Sequence, residues 1–273
     1  MQGESRDRQT CLIGLMPSRR QRCIYMKRKS KHIALGITLL VAAALIYGGS
    51  MWHYTENYRA KLWLHRCNSL EKLHEQNGRF KGVEVDLVYR DSTSLFDVTH
   101  DTDVTFGLDI APYFRHATAS GTRLWLDLKN LTLQNAAAVE QQLSLLCTDT
   151  GCDKSRFIVE SRDADALAFL TARGYYTSYY VPYDKPSRLS STRRDSCVAA
   201  VQAIAASGKV RAISFPGWWY APLKGKIPDE VDMLTWLHRS VELEVRLWPG
   251  YLKILEDPQI KVVLIKSKGK YHR

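Results

Sequence analysis

The sequence predicts a distorted parallel (β/α)8 barrel of the TIM type, preceded by one N-terminal transmembrane helix. Three observations lead there. An uncharged apolar run from Ile33 to Trp52 has basic residues concentrated on one side; the remaining chain alternates strand-like and helix-like patterns; and charged residues recur at the ends of successive strand-like runs. Strand, helix, strand, helix is the alternation of parallel α/β architecture. No G-x-G-x-x-G follows the first strand, so the nucleotide signature of an open doubly wound sheet is missing.

The apolar run reads IALGITLLVAAALIYGGSMW and carries no charge. Roughly 20 such residues cross a bilayer as a helix. Arg19, Arg20, Arg22, Lys27, Arg28, Lys29 and Lys31 precede it, and mixed charges beginning with Glu56 and Arg59 follow. The positive-inside rule then puts the N-terminus in the cytoplasm and the barrel outside, which for a bacterial chain means an inner-membrane protein facing the periplasm. Tyr47 and Trp52 end the run, where aromatic side chains suit a membrane interface. An uncleaved anchor is the expectation; a signal peptide processed near Gly48 and Ser50, or a buried core helix, are the competing readings. The layout is a basic cytoplasmic segment over 1–31, an anchor over 32–53 and a barrel domain over 54–273. Met26 opens MKRKSKH directly ahead of the apolar run, so residues 1–25 read either as an overextended gene start or as a disordered tail.

Residues 1–31 hold nine Lys/Arg against Glu4 and Asp7, so +7 of the net +11 lies ahead of the membrane. That head suits topology and attraction to anionic lipid; no nucleic-acid motif follows it, and no nucleic-acid partner is expected. The same boundary divides the six cysteines. Cys11 and Cys23 fall on the reducing side, while Cys67, Cys147, Cys152 and Cys197 fall where disulfides form. Cys147 and Cys152 enclose only TDTG, so a local disulfide and two free thiols are both open. Zinc is not expected, because no second closely spaced ligand pair is present.

Past the anchor, apolar runs bounded by turn signals predict strands at Lys61–His65, Val83–Tyr89, Leu95–Thr99, Arg123–Lys129, Phe157–Ser161, Tyr175–Val181, Ala212–Phe215, Glu242–Trp248 and Lys261–Lys266. Helices are predicted over Ser69–Asn77, Asn135–Cys147, Asp163–Arg173 and Asp195–Ser207, three of them stopped by Gly78, Gly174 and Gly208. Tyr183–Arg194 (YDKPSRLSSTRR) reads as a long loop. The segment Phe215-Pro216-Gly217-Trp218-Trp219-Tyr220 reads equally as a substrate groove or as a cap on the core, and Trp248 has the same two readings.

The polar residues at the strand ends carry the chemistry. His65 follows the first run, Glu84 and Asp86 lie in the second, His100 and Asp101 follow the third, Lys129 ends the fourth and Glu160 the fifth. In an alternating strand Glu84 and Asp86 share a face. Two unpaired carboxylates there repel unless a cation joins them, which points to a divalent metal. His53, His74, His116, His238 and His272 lack such a setting and read as surface or core residues.

The order H-R-x-N-S, G-V-E-V-D, V-T-H-D, L-W-L-D-L-K-N and F-I-V-E-S, spanning Leu62 to Ser161, resembles the superfamily of glycerophosphodiester phosphodiesterases and phosphatidylinositol-phospholipase-C-like barrels. The H-x-x-N-S form at His65, Asn68 and Ser69 also resembles its menorin-like branch. The resemblance implies a metal-dependent hydrolase of an anionic phosphodiester: a glycerophosphodiester, a lipid headgroup or an envelope glycan. His65 and His100 would be the acid/base pair, and Lys129 would offset charge on the phosphoryl group. Arg66 and Asn68 would hold the phosphate, and Glu84, Asp86 and Glu160 would bind Mg²⁺ or Ca²⁺. The residue types agree with this. Phosphodiester cleavage needs one proton removed and one delivered, which two histidines do near neutral pH, and a carboxylate-bound cation acts as a Lewis acid. Cys67 stands where these enzymes have glycine. An alternative is an inactive barrel that binds or assembles envelope polysaccharide components, and a metal-free glycosidase using Glu84 or Asp86 with Glu160 is a third reading.

Overall fold

The computed structural model describes residues 19–76, 78–238 and 240–267. It divides into two compact units between His53 and Tyr54. The first contains most of helix α1 (Arg19–Asn57). Within that helix Lys29–Tyr54, 26 residues of mean hydropathy 2.0, is long and apolar enough to cross a membrane. Leu40, Leu45 and Ile46 are all exposed, as befits a helix that is apolar all round rather than along one stripe.

The second unit is a closed barrel. Its strands are β1 (Leu62–Leu64), β2 (Gly82–Arg90), β4 (Arg123–Leu128), β5 (Phe157–Ser161), β6 (Tyr176–Tyr180), β7 (Ala212–Pro216), β8 (Asp232–Trp236) and β9 (Ile260–Ile265), with β3 (Leu95–Val98) added outside the ring. The ring runs β1-β9-β8-β7-β6-β5-β4-β2 and closes β2 back on β1. Every pair within the ring is parallel. The seam is thin, since β1 meets β2 through the single pair Leu64–Val83. That weak closure is the barrel's distortion.

Around the ring lie α2 (Leu70–Glu75), α3 (Ala111–Ser120), α4 (Ala136–Thr150), α5 (Ala164–Thr171), α6 (Ser191–Ala206), α7 (Tyr220–Leu223), α8 (Glu242–Leu247) and α9 (Pro249–Glu256). Side chains cap several of them as the sequence signals. The Ser69 hydroxyl accepts from Lys72 N, Asp163 from Asp165 N and Ala166 N, and Ser190 from Arg193 N. Each satisfies amides that the first helical turn leaves unpaired. Gly151 ends α4 in the left-handed conformation, φ 66°, which suits a residue without Cβ.

Three expectations are corrected here. Leu95–Thr99 is not a barrel strand: β3 runs antiparallel to β2 and extends it above the mouth. Glu242–Trp248 is helical. Its apolar residues alternate, but Leu243 and Leu247 stand more than half exposed while Val245 is buried, and the Glu244 carboxylate accepts from Val241 N at 3.3 Å to cap the turn. The eighth ring strand is instead Asp232–Trp236, DMLTW, in which Asp232 and Thr235 break up the apolar run. Smaller differences concern Tyr183–Arg194, which contains a short 3-10 turn and the start of α6. Cys67, Cys147, Cys152 and Cys197 are all free thiols.

Two apolar bodies stabilise the unit. One lies between sheet and helices, around side chains such as Phe96, Phe114, Phe157 and Trp219. The other fills the lumen with Trp63, Trp125, Ile158, Leu234, Trp236, Val262 and Leu264. Trp63 fits only because β2 begins with glycine. A Cβ on Gly82 would lie 2.4 Å from the indole, and the lumen gives the ring nowhere to move. Gly82→Ala is expected to cost about 1–3 kcal/mol as overpacking. That lowers the melting temperature by about 2–4 °C per kcal/mol in a domain of this size. Thermal unfolding checks it, with Trp63→Leu in the same background restoring part of the loss; an unshifted transition in Gly82→Ala refutes the packing argument.

Candidate active site

Parallel strands present side chains at their C-terminal ends, and here the register levels them. Asp86 pairs with Asp127, and Asp127 with Glu160. Together with His65, Arg66, Glu84, His100 and Lys129 they line one cavity of about 990 Å³. All the residues singled out from the sequence meet there except Asn68. Its amide instead donates to Asp86 Oδ2 at 2.7 Å, and its carbonyl accepts from Asp86 N at 3.0 Å. Asn68 therefore holds Asp86 in place from below.

The carboxylates form the floor. Glu84, Asp86 and Asp127 are buried and offer oxygens that all lie within 4.8 Å of one another. Asp127, not Glu160, is thus the third member of the cluster. The signal was present in L-W-L-D-L-K, whose alternation puts Trp125, Asp127 and Lys129 on one face. Lys129 Nζ lies 2.5 Å from Asp86 Oδ1 and also binds Asp127 Oδ2. Burial raises the carboxyl of Glu84 well above its usual range, helped by the charges of Asp86 and Asp127. Burial raises Asp127 as well, against the pull of Lys129. In Asp86 burial is outweighed by Lys129 and Asn68, so its carboxyl is held low. Lys129, although desolvated, is held charged by Asp127, Asp86 and Glu84.

A tight turn after β1 delivers the first histidine. Arg66 adopts φ 54°, an unusual left-handed conformation for a side-chain-bearing residue. The turn is fastened from both sides. Arg66 N donates to Glu84 Oε2 at 2.5 Å and Cys67 N to Glu84 O at 2.7 Å, while the buried Lys72 ammonium donates to the carbonyls of His65 and Arg66 at 3.0 and 2.5 Å. The positive φ falls on Arg66 and not on Cys67, so Cys67 needs no glycine-like backbone. His65 Nε2 stands 3.7 Å from Glu84 Oε2, and burial pushes its imidazole down to about 3, which leaves it neutral near pH 7. The Arg66 side chain is 44% exposed, with Nε 3.9 Å from Asp86 Oδ2, so the guanidinium remains open to the cavity.

His100 reaches the rim from the loop after β3. Arg90 holds that loop, donating to Thr102 O and Val104 O at 2.5 Å and to Asp97 at 3.0 Å. His100 Nδ1 lies 2.7 Å from Asp101 Oδ1, an acceptor that fixes Nδ1 as donor and leaves Nε2 for other contacts. The opposite wall was read only partly from sequence. Trp218 lines the cavity, whereas its neighbours Trp219 and Tyr220 are buried in the core; Trp248 is 67% exposed and lies outside the lining. His238, read as a surface or core residue, lines the cavity with its ring centroid 5.5 Å from that of Trp218. His272 lies outside the described residues.

No protein-family model matches the sequence, and no curated protein matches it. Solved structures do. A glycerophosphodiester phosphodiesterase from Parabacteroides distasonis superposes with a TM-score of 0.53 at 13% identity, covering 77% of this chain and 93% of that one. A phosphodiesterase from Oleispira antarctica, in complex with its product sn-glycerol-3-phosphate, gives 0.51 at 13% identity, covering 75% and 92%. The chain shares their fold. At that identity the likeness speaks for the barrel and its circuit of strands, while the chemistry has to be argued from the cavity itself.

The floor fits a hard divalent cation. Its donors are all carboxylate oxygens, the set that Mg²⁺ and Ca²⁺ prefer. A further carboxylate oxygen, Glu160 Oε2, is buried beside it without a hydrogen-bond partner. Burial, with the charge of Asp127, raises the Glu160 carboxyl well above its usual range. An unfolded glutamate ionises near about pH 4.3, whereas folded Glu160 stays protonated well above that. Its contribution to stability is therefore complete below about pH 4.3 and is lost as pH rises through the folded value. In EDTA, Glu160→Gln is expected to melt higher than the wild type at pH 7 and to converge with it near pH 4. Melting curves across that range check it; a variant less stable at pH 7 would mean that Glu160 is ionised and paired.

Proposed function

We propose that the chain is a membrane-anchored, metal-dependent hydrolase of phosphodiesters. One observation carries the reading: His65, Arg66, Glu84, Asp86, Asp127 and Lys129 converge on a single cavity at the C-terminal ends of parallel barrel strands. The shared fold with phosphodiesterases, one of them holding a glycerol phosphate product, supports it.

Glu84, Asp86 and Asp127 hold the cation, Mg²⁺ or Ca²⁺, with Glu160 behind them. When bound, it supplies Lewis-acid charge against the phosphoryl oxygens. The chain's own residues do the rest. Asn68 fixes Asp86, and the Arg66 guanidinium, open to the cavity, binds a non-bridging phosphate oxygen. Lys129 keeps its positive charge beside the reacting centre, where negative charge grows on phosphorus-bound oxygen. His65, neutral and inward, accepts a proton from the attacking water. His100, oriented through Nδ1 by Asp101, delivers a proton to the leaving oxygen from Nε2 at the rim. The apolar helix anchors the barrel on the extracytoplasmic face, with the basic N-terminal segment inside.

The purified full-length protein in detergent, assayed on bis(p-nitrophenyl) phosphate, tests the reading. Turnover is expected with Mg²⁺ or Ca²⁺ and is abolished by EDTA. His65→Ala should lower kcat by about 10²–10⁴-fold, the usual worth of a general acid or base. Asp127→Asn should raise the metal concentration needed for half-maximal rate. Turnover indifferent to both EDTA and His65→Ala overturns the proposal.

A further inference from the structure

The cavity has two electrical halves. Its floor and near rim, under β2 to β5, carry Glu84, Asp86, Asp127 and Glu160, with Asp101 and Asp103 above them. The rest of the mouth carries Arg162 two residues beyond Glu160, Lys185 and Arg188 in the loop after β6, and Lys266 after β9 beside β1, against the single acid Asp184. Among the described residues no carboxylate lies within 4.0 Å of any of these four cations.

Aromatic faces position two of them instead. The Arg162 guanidinium carbon sits 4.5 Å from the centre of Tyr180, and Tyr180 stacks on Trp236 at 5.1 Å and 24°. Lys185 Nζ lies 5.8 Å from the centre of Trp218. A cation over a ring is held in place while its N–H groups stay free for an anion, whereas a carboxylate partner would occupy them.

The proposed chemistry does not use this wall. A simple diester has one phosphate, and Arg66, Lys129 and the floor cation already account for it. A small neutral leaving group such as glycerol offers nothing to Arg162, Lys185 and Arg188. The cavity, about 990 Å³, also stands at the upper end of the roughly 300–1,000 Å³ that accommodates drug-sized ligands. We infer that Arg162, Lys185 and Arg188 form a second anion subsite, and that the leaving alcohol is a ring, packed along Trp218, that bears its own phosphate. This rests on the phosphodiesterase reading for which end of the substrate is cut, but the subsite binds phosphate whether or not cleavage follows.

A matched pair of ligands tests it. Glucose 1-phosphate and glucose 1,6-bisphosphate share the ring and differ by one phosphate. Their affinities for the full-length protein in detergent are measured by calorimetry at fixed excess Mg²⁺. The bisphosphate is expected to bind about tenfold tighter or more, as a charge-assisted contact allows. In the double variant Arg162→Gln/Arg188→Gln that ratio should fall towards one. Lys81→Gln, which removes an exposed charge at the opposite end of the barrel, should keep it and so separates a built subsite from general electrostatic attraction. A ratio near one in the wild type, or one that survives the double variant, overturns the inference. A large ratio without diester turnover would retain the subsite and remove the hydrolase.

Discussion

The rest of the barrel is arranged around one constraint, that four carboxylates are buried together with one ammonium. Glu84, Asp86, Asp127 and Glu160 are each no more than 9% exposed; Lys129 pairs with Asp86 and Asp127, and Arg66 approaches Asp86 from the cavity side. Taking such charges out of water costs several kcal/mol per ion unless they are paired or protonated. The site meets that cost in two ways: Asp86 stays ionised against Lys129 and Asn68, while Glu84, Asp127 and Glu160 are pushed towards their neutral forms. A cluster poised in this way is a receptor for positive charge.

The backbone around the cluster is tied to it. Closure of the ring depends on a three-residue strand and one residue pair at the seam, and the turn that follows contains the unusual Arg66 conformation. A seam held only by strand pairing would leave His65 poorly placed. Lys72 and the Glu84 carboxylate fasten it instead, so the carboxylate floor and the His65 turn are mechanically one unit. Reactive groups that must stay within a fraction of an ångström of their places are best held by such second contacts. Below them the lumen is apolar and largely aromatic, with Trp63 seated on Gly82, and that packing offsets what the polar mouth costs.

Above the floor the mouth is asymmetric. His100 approaches from a loop that Arg90 clamps, while the far side offers cations laid over aromatic rings. An acidic floor and a basic stretch of rim therefore face the same cavity. The chain also carries an N-terminal helix long and apolar enough to cross a membrane.

The sequence by itself determined the barrel class, the apolar helix and most of the floor, because each depends on local pattern: an uncharged run, the alternation of elements, and the side-chain period of two that places Glu84 with Asp86. The same period contained Asp127, which was legible beside Lys129 yet unread. The rest was decided by tertiary structure. Glu242–Trp248 alternates like a strand but folds as a helix, because burial selects Val245 and leaves Leu243 and Leu247 in solvent; DMLTW is a strand only because β7 and β9 flank it. Asn68 turned from the cavity to Asp86, and Glu160 stood apart from the carboxylate triad. Arg162, Lys185, Arg188 and His238 come from segments far apart in the chain, so their meeting at one wall follows from closure of the ring, which brings strand ends together regardless of their separation in sequence.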